Sequence, residues 1–419
     1  SSLNWNGSSV GGASILPANV TQFLQCGDGV GNDAGPCDIL AMNRNYHSPY
    51  VSNWTLGIEH AFSGNISWDV SYVGNHGSRL TGIYDINQVN PQSAAEIACG
   101  HCEANRPFSA QYPYLGFINY MTNVYRSNYN GLQTTLTGRN THGLSFIAGY
   151  TYSHALDNMS YNWNQYLPQN SANPRAEYGS SDFDMAHRFT LSVTYALPGR
   201  KSPLQLLQGW QVNSIVSLQS GVPWNTFDSS NDLSATGEFA DRWDFFGNPA
   251  DFRSGGANPI PCFGFGGTTG CSPTIPAACL QAASSAGPGA VASLNNLGCY
   301  MAGNSVMIPP AFGTFGTMGR NIFRDTGFRN LDLSVAKNFH FKERLTAQFR
   351  AEFFNILNHP NFANPWGGTS GWGPANGYSD PSFPGVFGCG CATPDTAAVN
   401  PVLGSGSARA IQLGLKMIF

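Results

Sequence analysis

Residues 408–419 read Ala-Arg-Ala-Ile-Gln-Leu-Gly-Leu-Lys-Met-Ile-Phe. From Ile411 onward every second position is large and apolar: Ile411, Leu413, Leu415, Met417 and Phe419. Gln412, Gly414 and Lys416 stand between them, with Ile418 the exception. A period of two is a strand with one apolar and one wet face. A soluble sandwich can produce such a strand. A barrel in a bilayer requires it, because acyl chains touch one face and a polar lumen the other.

The pattern recurs along the chain. Trp54, Leu56 and Ile58 alternate with Thr55, Gly57 and Glu59, and Ile66, Trp68, Val70 and Tyr72 with Ser67, Asp69 and Ser71. The runs Leu144–Ser153, Phe189–Leu197, Leu331–Phe339 and Leu345–Phe353 repeat it, and Tyr129–Arg139 and Trp210–Gln219 follow it more weakly. With the terminal run this makes nine predicted strands. Helical periodicity is confined to short stretches near Leu204–Leu207 and Ala277–Ala292.

The connections alternate too. Ser63-Gly-Asn65, Asn140-Thr-His-Gly143, the Pro198-Gly199 turn and Phe341-Lys-Glu-Arg344 are short, and most carry Gly, Asn or Pro. Between them run long connections at about 77–126, 157–185, 221–327 and 358–407. In a bacterial outer-membrane barrel short turns are periplasmic and long loops extracellular, which a soluble sandwich has no reason to imitate. That parity puts the carboxy terminus in the periplasm and residues 1–52 in an extracellular segment. Residues 53–419 then form the barrel part.

Only 11% of residues are charged and 13% are aromatic. A soluble domain averages about a quarter charged, and Trp and Tyr favour membrane–water interfaces. No run of eighteen apolar residues exists and mean hydropathy is -0.19, which excludes a helical membrane protein. The net charge of -4, without a basic stripe, gives no basis for nucleic-acid binding. The fold class is therefore all-β: an antiparallel transmembrane barrel, partial at about nine strands, with long loops.

Ten cysteines, Cys26, Cys37, Cys99, Cys102, Cys262, Cys271, Cys279, Cys299, Cys389 and Cys391, all fall in segments assigned to the outside. An even number on one aqueous side reads as disulfides stapling the loops in an oxidising compartment. Proximity suggests Cys26–Cys37, Cys99–Cys102, two pairs among Cys262, Cys271, Cys279 and Cys299, and Cys389–Cys391, the last an unusually tight ring to which a longer-range bond is the alternative. Cys99-Gly-His-Cys102 has the spacing of a redox pair but no surrounding βαβ unit. With His101 it lacks a second ligand pair for zinc. No nucleophile elbow and no phosphate loop occurs. The expectation is a protein that is not an enzyme, with no cofactor and no metal.

Asp69, Arg139, Asp332, Arg350 and Glu352 fall opposite the apolar positions and are candidates for a polar lumen, either solvating it or meeting a plug or a solute. Lys337 interrupts the apolar stripe near a short turn, where a lysine can snorkel to headgroups. Loop aromatics, namely Tyr112, Tyr114, Trp163, Tyr166, Trp224, Trp243, Trp366 and Trp372, either grip a ligand or pack the loops together.

Several strings together carry a resemblance. They are Tyr150-Thr-Tyr-Ser-His-Ala-Leu-Asp-Asn158, Ser181-Asp-Phe-Asp-Met-Ala-His-Arg-Phe189, Gly209-Trp-Gln-Val212 with Gln219-Ser-Gly-Val-Pro-Trp224, Asn330-Leu-Asp-Leu-Ser-Val-Ala-Lys-Asn-Phe339, and Arg350-Ala-Glu-Phe-Phe-Asn-Ile-Leu-Asn-His-Pro-Asn-Phe362. The stretch from about Asn53 to Phe419 resembles the carboxy-terminal barrel of TonB-dependent receptors. Within them it is most similar to the Oar-like kind that bears a carboxypeptidase regulatory domain and abounds in Acidobacteria. The resemblance implies energised uptake of a scarce solute across the outer membrane, with TonB and the barrel-assembly machinery as partners and Phe419 as the assembly signal. Such receptors have about 22 strands and a plugged lumen. The plug, the TonB box and the remaining strands are then expected from another segment or a companion chain, because an open edge in lipid is costly. The alternative is a surface-assembly protein whose disulfide-rich loops join subunits.

Overall fold

The computed structural model describes residues 26, 36–91, 105–160, 167–238, 241–254, 258–341, 345–365, 379–391, 393 and 408–418. Its elements in chain order are β1 (Cys37–Met42), β2 (Tyr50–Ser63), β3 (Ile66–Asp85), β4 (Leu115–Thr141), β5 (Leu144–Asp157), β6 (Gly179–Ser180), β7 (His187–Ala196), β8 (Trp210–Gln219), β9 (Pro223–Trp224), β10 (Asp244–Phe246) and β11 (Cys262–Phe263). There follow α1 (Ala277–Ala286), α2 (Pro288–Leu297), β12 (Cys299–Ala302), β13 (Ser305–Ile308), β14 (Phe323–Arg324), β15 (Phe328–Phe341), β16 (Leu345–Phe354) and β17 (Ala410–Ile418). No described helix is long and apolar enough to cross a membrane.

Nine strands form one antiparallel meander in the order β2-β3-β4-β5-β7-β8-β15-β16-β17. They are the nine read from the alternating pattern. Directly opposed residues of an antiparallel pair share a face, so one register row can be followed across the sheet. Ile411 faces Phe353, which faces Leu333. The row continues through Ser214, Val193, Phe146 and Gly138 to Ile66. One step away, Gln412, Glu352, Ser334, Asn213, Thr194 and Ser145 make the matching polar row. A slip of one residue anywhere would swap the faces. Gly138 belongs in its row because the Phe146 ring lies where a Cβ would stand.

The apolar face is left bare. Leu415 is 72% exposed, and Leu413, Leu56 and Ile58 are similarly open. Aromatic side chains fringe it at both ends. Tyr195, Trp210 and Phe339 lie toward the short turns, and Tyr72, Tyr150 and Tyr152 toward the long loops. On β7, His187 and Tyr195 are eight residues apart. That is about 20 Å along the membrane normal for a strand tilted by roughly 40°, close to the ~25 Å apolar band of outer-membrane barrels.

Two boundaries differ from the sequence reading. Residues 77–126 are not all loop, since β3 continues to Asp85 and β4 starts at Leu115. At 27 residues, β4 is about 90 Å long, three times a bilayer's hydrocarbon core of ~30 Å. The part of β4 toward the long loops, its outer part, cannot lie in the same layer, so nothing there forces apolar residues onto one face and the alternation disappears. Residues 1–52 likewise contain β1, which pairs parallel with the outer part of β4, and the start of β2. Cys37, Cys262 and Cys299 consequently sit in short strands.

The path ends on β2 and β17, which are not paired with each other among the described residues. The sheet is open there, and among the described residues no strand pairs with the other edge of β17. If the bare face meets lipid, Phe349→Arg should lower folding stability in vesicles by roughly 2–4 kcal/mol, whereas Gln348→Arg, one residue along and on the polar face, should cost far less. Urea titrations of heat-modifiable migration would measure both. Equal costs would contradict the assignment of faces.

Candidate functional site

Two surfaces concentrate polar chemistry: the polar face of the sheet, and a cap built from the long loops. On the face, Gln211, Asn213, Asp332, Gln348, Arg350 and Glu352 line a shallow hollow. Arg350 Nη1 lies 3.7 Å from Glu352 Oε1. Asn213 accepts from Thr194 Oγ1 at 3.0 Å and Gln211 Nε2 at 2.7 Å, and Gln348 Nε2 donates to Asn338 at 3.0 Å. Asp332 accepts from Asn330 Nδ2 and from the Asn355 backbone N–H, both at 2.9 Å. The register puts Asp69 on the same face, paired with Glu59 and Thr135. Arg139 is exposed beside the turn after β4, away from this group. Of the five sequence candidates, Asp332, Arg350 and Glu352 come together, and Asp69 and Arg139 stand apart.

The cap joins all four long connections. Its core is aromatic. Trp224, Trp243, Phe252, Tyr300, Phe323 and Phe387 are all essentially without solvent exposure. The Phe252 and Phe323 rings stack at 5.2 Å, and Tyr300 packs against Phe387 at 4.2 Å. Trp224 and Trp243 therefore hold the loops together and do not grip a ligand. Tyr112 remains partly exposed. Trp163, Tyr166, Trp366 and Trp372 lie outside the described residues, as do Cys99, His101, Cys102 and Phe419.

Disulfides join Cys26 to Cys37, Cys262 to Cys271, Cys279 to Cys299 and Cys389 to Cys391, with Cα–Cα distances of 5.2, 4.8, 6.5 and 5.1 Å. Cys279–Cys299 ties α1 to β12 and lies in a small second core with Ala283, Leu294 and Ile308. No group of three or more potential metal ligands occurs among the described residues.

Buried charge then locks loop to loop. Arg242 makes a fork to Glu177, Nη1 to Oε2 at 2.7 Å and Nη2 to Oε1 at 2.9 Å, and its Nε donates to the Met318 carbonyl at 2.8 Å. Gln169 Nε2 donates to the Gly316 carbonyl at 2.9 Å, and Gln88 Nε2 donates to the Gln169 carbonyl at 3.0 Å. Three loops thus meet at Gln88, Gln169 and Arg242. The string Ser181–Phe189, singled out by resemblance, now has a structural role. Asp182 and Asp184 receive Arg320 and Arg324 from the far end of the longest connection. Arg320 also pairs with Asp157 at the top of β5. Asp184 further accepts from the Ala155 N–H at 2.7 Å and lies 3.1 Å from His154 Nδ1. The two aspartates latch the long loop onto the sheet. Sequence reading missed this because the partners are about 140 residues apart.

Several cap carboxyls are held away from their ordinary ionisation. Burial pushes Asp241 up to about 7, and the nearby Asp232 and Asp228 add to it against the lowering effect of hydrogen bonds from Ser234. Burial, then the Asp85 charge, pushes Glu238 well above the usual carboxyl range, against the pull of Arg106. Asp85, Asp182, Asp228 and Asp325 are raised as well, each chiefly by burial.

The chain matches the family model described as "Outer membrane beta barrel domain" over residues 3–383. It belongs to that family. Membership in an outer-membrane barrel family accounts for the bare apolar face, which such a domain turns to lipid. Comparison with curated proteins gives no match. Among solved structures it is similar to the outer membrane transporter YddB from Escherichia coli, at 10% identity and TM-score 0.37 over 78% of this chain and 31% of that one. It is also similar to the siderophore receptor PiuA from Acinetobacter baumannii, at 9% identity and TM-score 0.35 over 74% and 25%. The pyoverdine outer membrane receptor FpvA from Pseudomonas aeruginosa gives 10% identity and TM-score 0.34 over 75% and 26%. The chain spans about a third or less of the length of each.

Two outcomes test the cap. Arg242→Met leaves the Glu177 carboxylate buried without its partner and should cost about 3–5 kcal/mol, read as faster amide exchange and proteolysis across 167–177 and 241–244 with the strands unchanged. Unaltered protection would refute the lock. For pH, a carboxyl raised in the folded state stabilises below its unfolded value and loses that contribution as pH rises through the folded value. The cap should therefore be tightest in mild acid and loosen between about pH 4 and pH 7, the interval over which Asp241 is shifted. Amide exchange corrected for intrinsic rates would show it, and a cap that tightens over this range would contradict it.

Proposed function

We propose that the chain is the carboxy-terminal part of an outer-membrane receptor that takes up a scarce solute with energy from TonB. Residues 53–419 form the barrel portion and residues 1–52 an outer segment. The carboxy terminus lies in the periplasm and the cap faces outward. The observation that carries the reading is the pairing of an open, nine-stranded sheet with a latched cap at one end. Among the described residues the sheet offers two unpaired edges to further strands, and its polar face ends beneath the cap. The sequence resemblance to TonB-dependent receptors supports the same assignment and supplies the remaining partners: a plug, the TonB system, and the barrel-assembly machinery acting on Phe419. The solute would descend from the cap along the face carrying Asp332, Arg350 and Glu352.

A second reading has its own support. Four disulfides among the described residues and an aromatic core hold the loops, which suits contacts between subunits at a cell surface as well as solute capture.

The test is genetic. Deleting the whole reading frame and deleting tonB should give the same uptake defect in a panel of ferric siderophores, glycans and peptides supplied as limiting nutrients. Arg350→Gln should weaken that uptake while leaving the heat-modifiable folded form intact. A deletion strain with normal uptake of every compound but altered surface assembly would favour the second reading and overturn the first.

A further inference from the structure

The connection between β7 and β8, residues 197–209, is unlike the turns at 63–65 and 140–143. Ser63-Gly-Asn65 and Asn140-Thr-His-Gly143 are polar. This one carries Leu204, Leu206 and Leu207, exposed by 82%, 56% and 64%. Arg200 and Lys201 stand just before them and are also exposed. The apolar cluster is continuous with the lipid-facing surface through Leu197 and Trp210, both about 40% exposed and at the foot of adjoining strands.

The turn is not loose. Leu204 and Gln205 hold φ of 53° and 57°, the left-handed region that side chains with a Cβ avoid. The surroundings fix them there. Lys337 on β15, only 4% exposed, drives its ammonium into the carbonyls of Gln205 and Gln208. It does not snorkel outward. The Trp210 indole donates to the Leu206 carbonyl at 2.7 Å. Gln205 clasps the backbone of His340 twice, accepting from its N–H at 2.9 Å and donating to its carbonyl at 2.8 Å. The Leu207 N–H is taken by Ser202 Oγ at 2.8 Å, and the Gln205 N–H by the Ser202 carbonyl at 3.1 Å.

Most of the polar backbone from Ser202 to Gln208 is thus satisfied by protein, which a segment entering a bilayer needs. A turn designed for water would need neither a buried lysine to occupy its carbonyls nor three leucines pointing away from the sheet. We propose that residues 200–207 form a rigid membrane anchor, with Leu204, Leu206 and Leu207 in the acyl region of the periplasmic leaflet and Arg200 and Lys201 on the phosphates of anionic glycerophospholipid. The inference rests on the membrane-spanning reading of the sheet and on the short turns facing the periplasm. It is independent of any transported solute.

Photo-crosslinking tests it. The full-length protein is reconstituted in phosphatidylethanolamine vesicles containing diazirine-labelled phosphatidylglycerol, and cross-linked peptides are mapped. Labelling is expected at Leu413 and Phe349, which report that the sheet is in the bilayer, and also at Leu204, Leu206 and Leu207. Changing all three leucines to Asn should abolish label in the turn while the strand signals persist. Arg200→Gln with Lys201→Gln should lower the preference for phosphatidylglycerol over labelled phosphatidylcholine, by about fivefold per charge removed. Labelled strands with an unlabelled turn would overturn the anchor and leave the membrane reading intact. Unlabelled strands would overturn the membrane reading itself. Retention of the heat-modifiable form separates each effect from misfolding.

Discussion

Lipid offers no hydrogen bonds, so a chain crossing it by strands must satisfy each backbone group with a neighbouring strand and each side chain with the medium it faces. The rest of this structure depends on that constraint. It forces antiparallel ladders, and the ladders force a period of two. One register is then carried from Ile66 on β3 to Ile411 on β17 with most of the large apolar residues kept to one face. Exposed Leu413 and Leu415 would be liabilities in water. In a bilayer they are the driving force.

Beyond the bilayer the constraint is lifted, and a different set of interactions takes over. The outer parts of β3 and β4 keep their backbone pairing and lose their alternation. The loops above them fold around tryptophan and phenylalanine, stapled by disulfides and locked by buried ion pairs. These pairs matter through geometry more than through net strength, since burial offsets much of their attraction. Asp182 and Asp184 choose which part of a hundred-residue connection returns to the sheet, and where. The same burial holds Glu238 and Asp241 away from ordinary ionisation, which makes the cap sensitive to pH.

What the sequence disclosed follows from this division. The nine strands were legible because lipid imposes a local, periodic pattern; Leu345–Phe353 could be read without any knowledge of its neighbours. The length of β4 was not legible, because the residues from Leu115 to Arg126 answer to no medium with a single polarity. Trp224 and Trp243 could not be told from ligand-gripping aromatics, since burial in a loop core leaves no local trace. Asp332, Arg350 and Glu352 were placed on one face by period alone. Their convergence needed the register between β15 and β16. Lys337 was visible as an interruption of the stripe, but its carbonyl partners, about 130 residues earlier, were not.

The central claim is that one face of this sheet meets lipid and the other a polar lumen. Nitroxide labels placed singly along β17 from 411 to 417, with the protein in vesicles, test it most directly. Collision rates with oxygen should peak at 411, 413, 415 and 417, and those with a water-soluble nickel chelate at 412, 414 and 416. Chelate access at every position, or oxygen access without a period of two, would contradict the account.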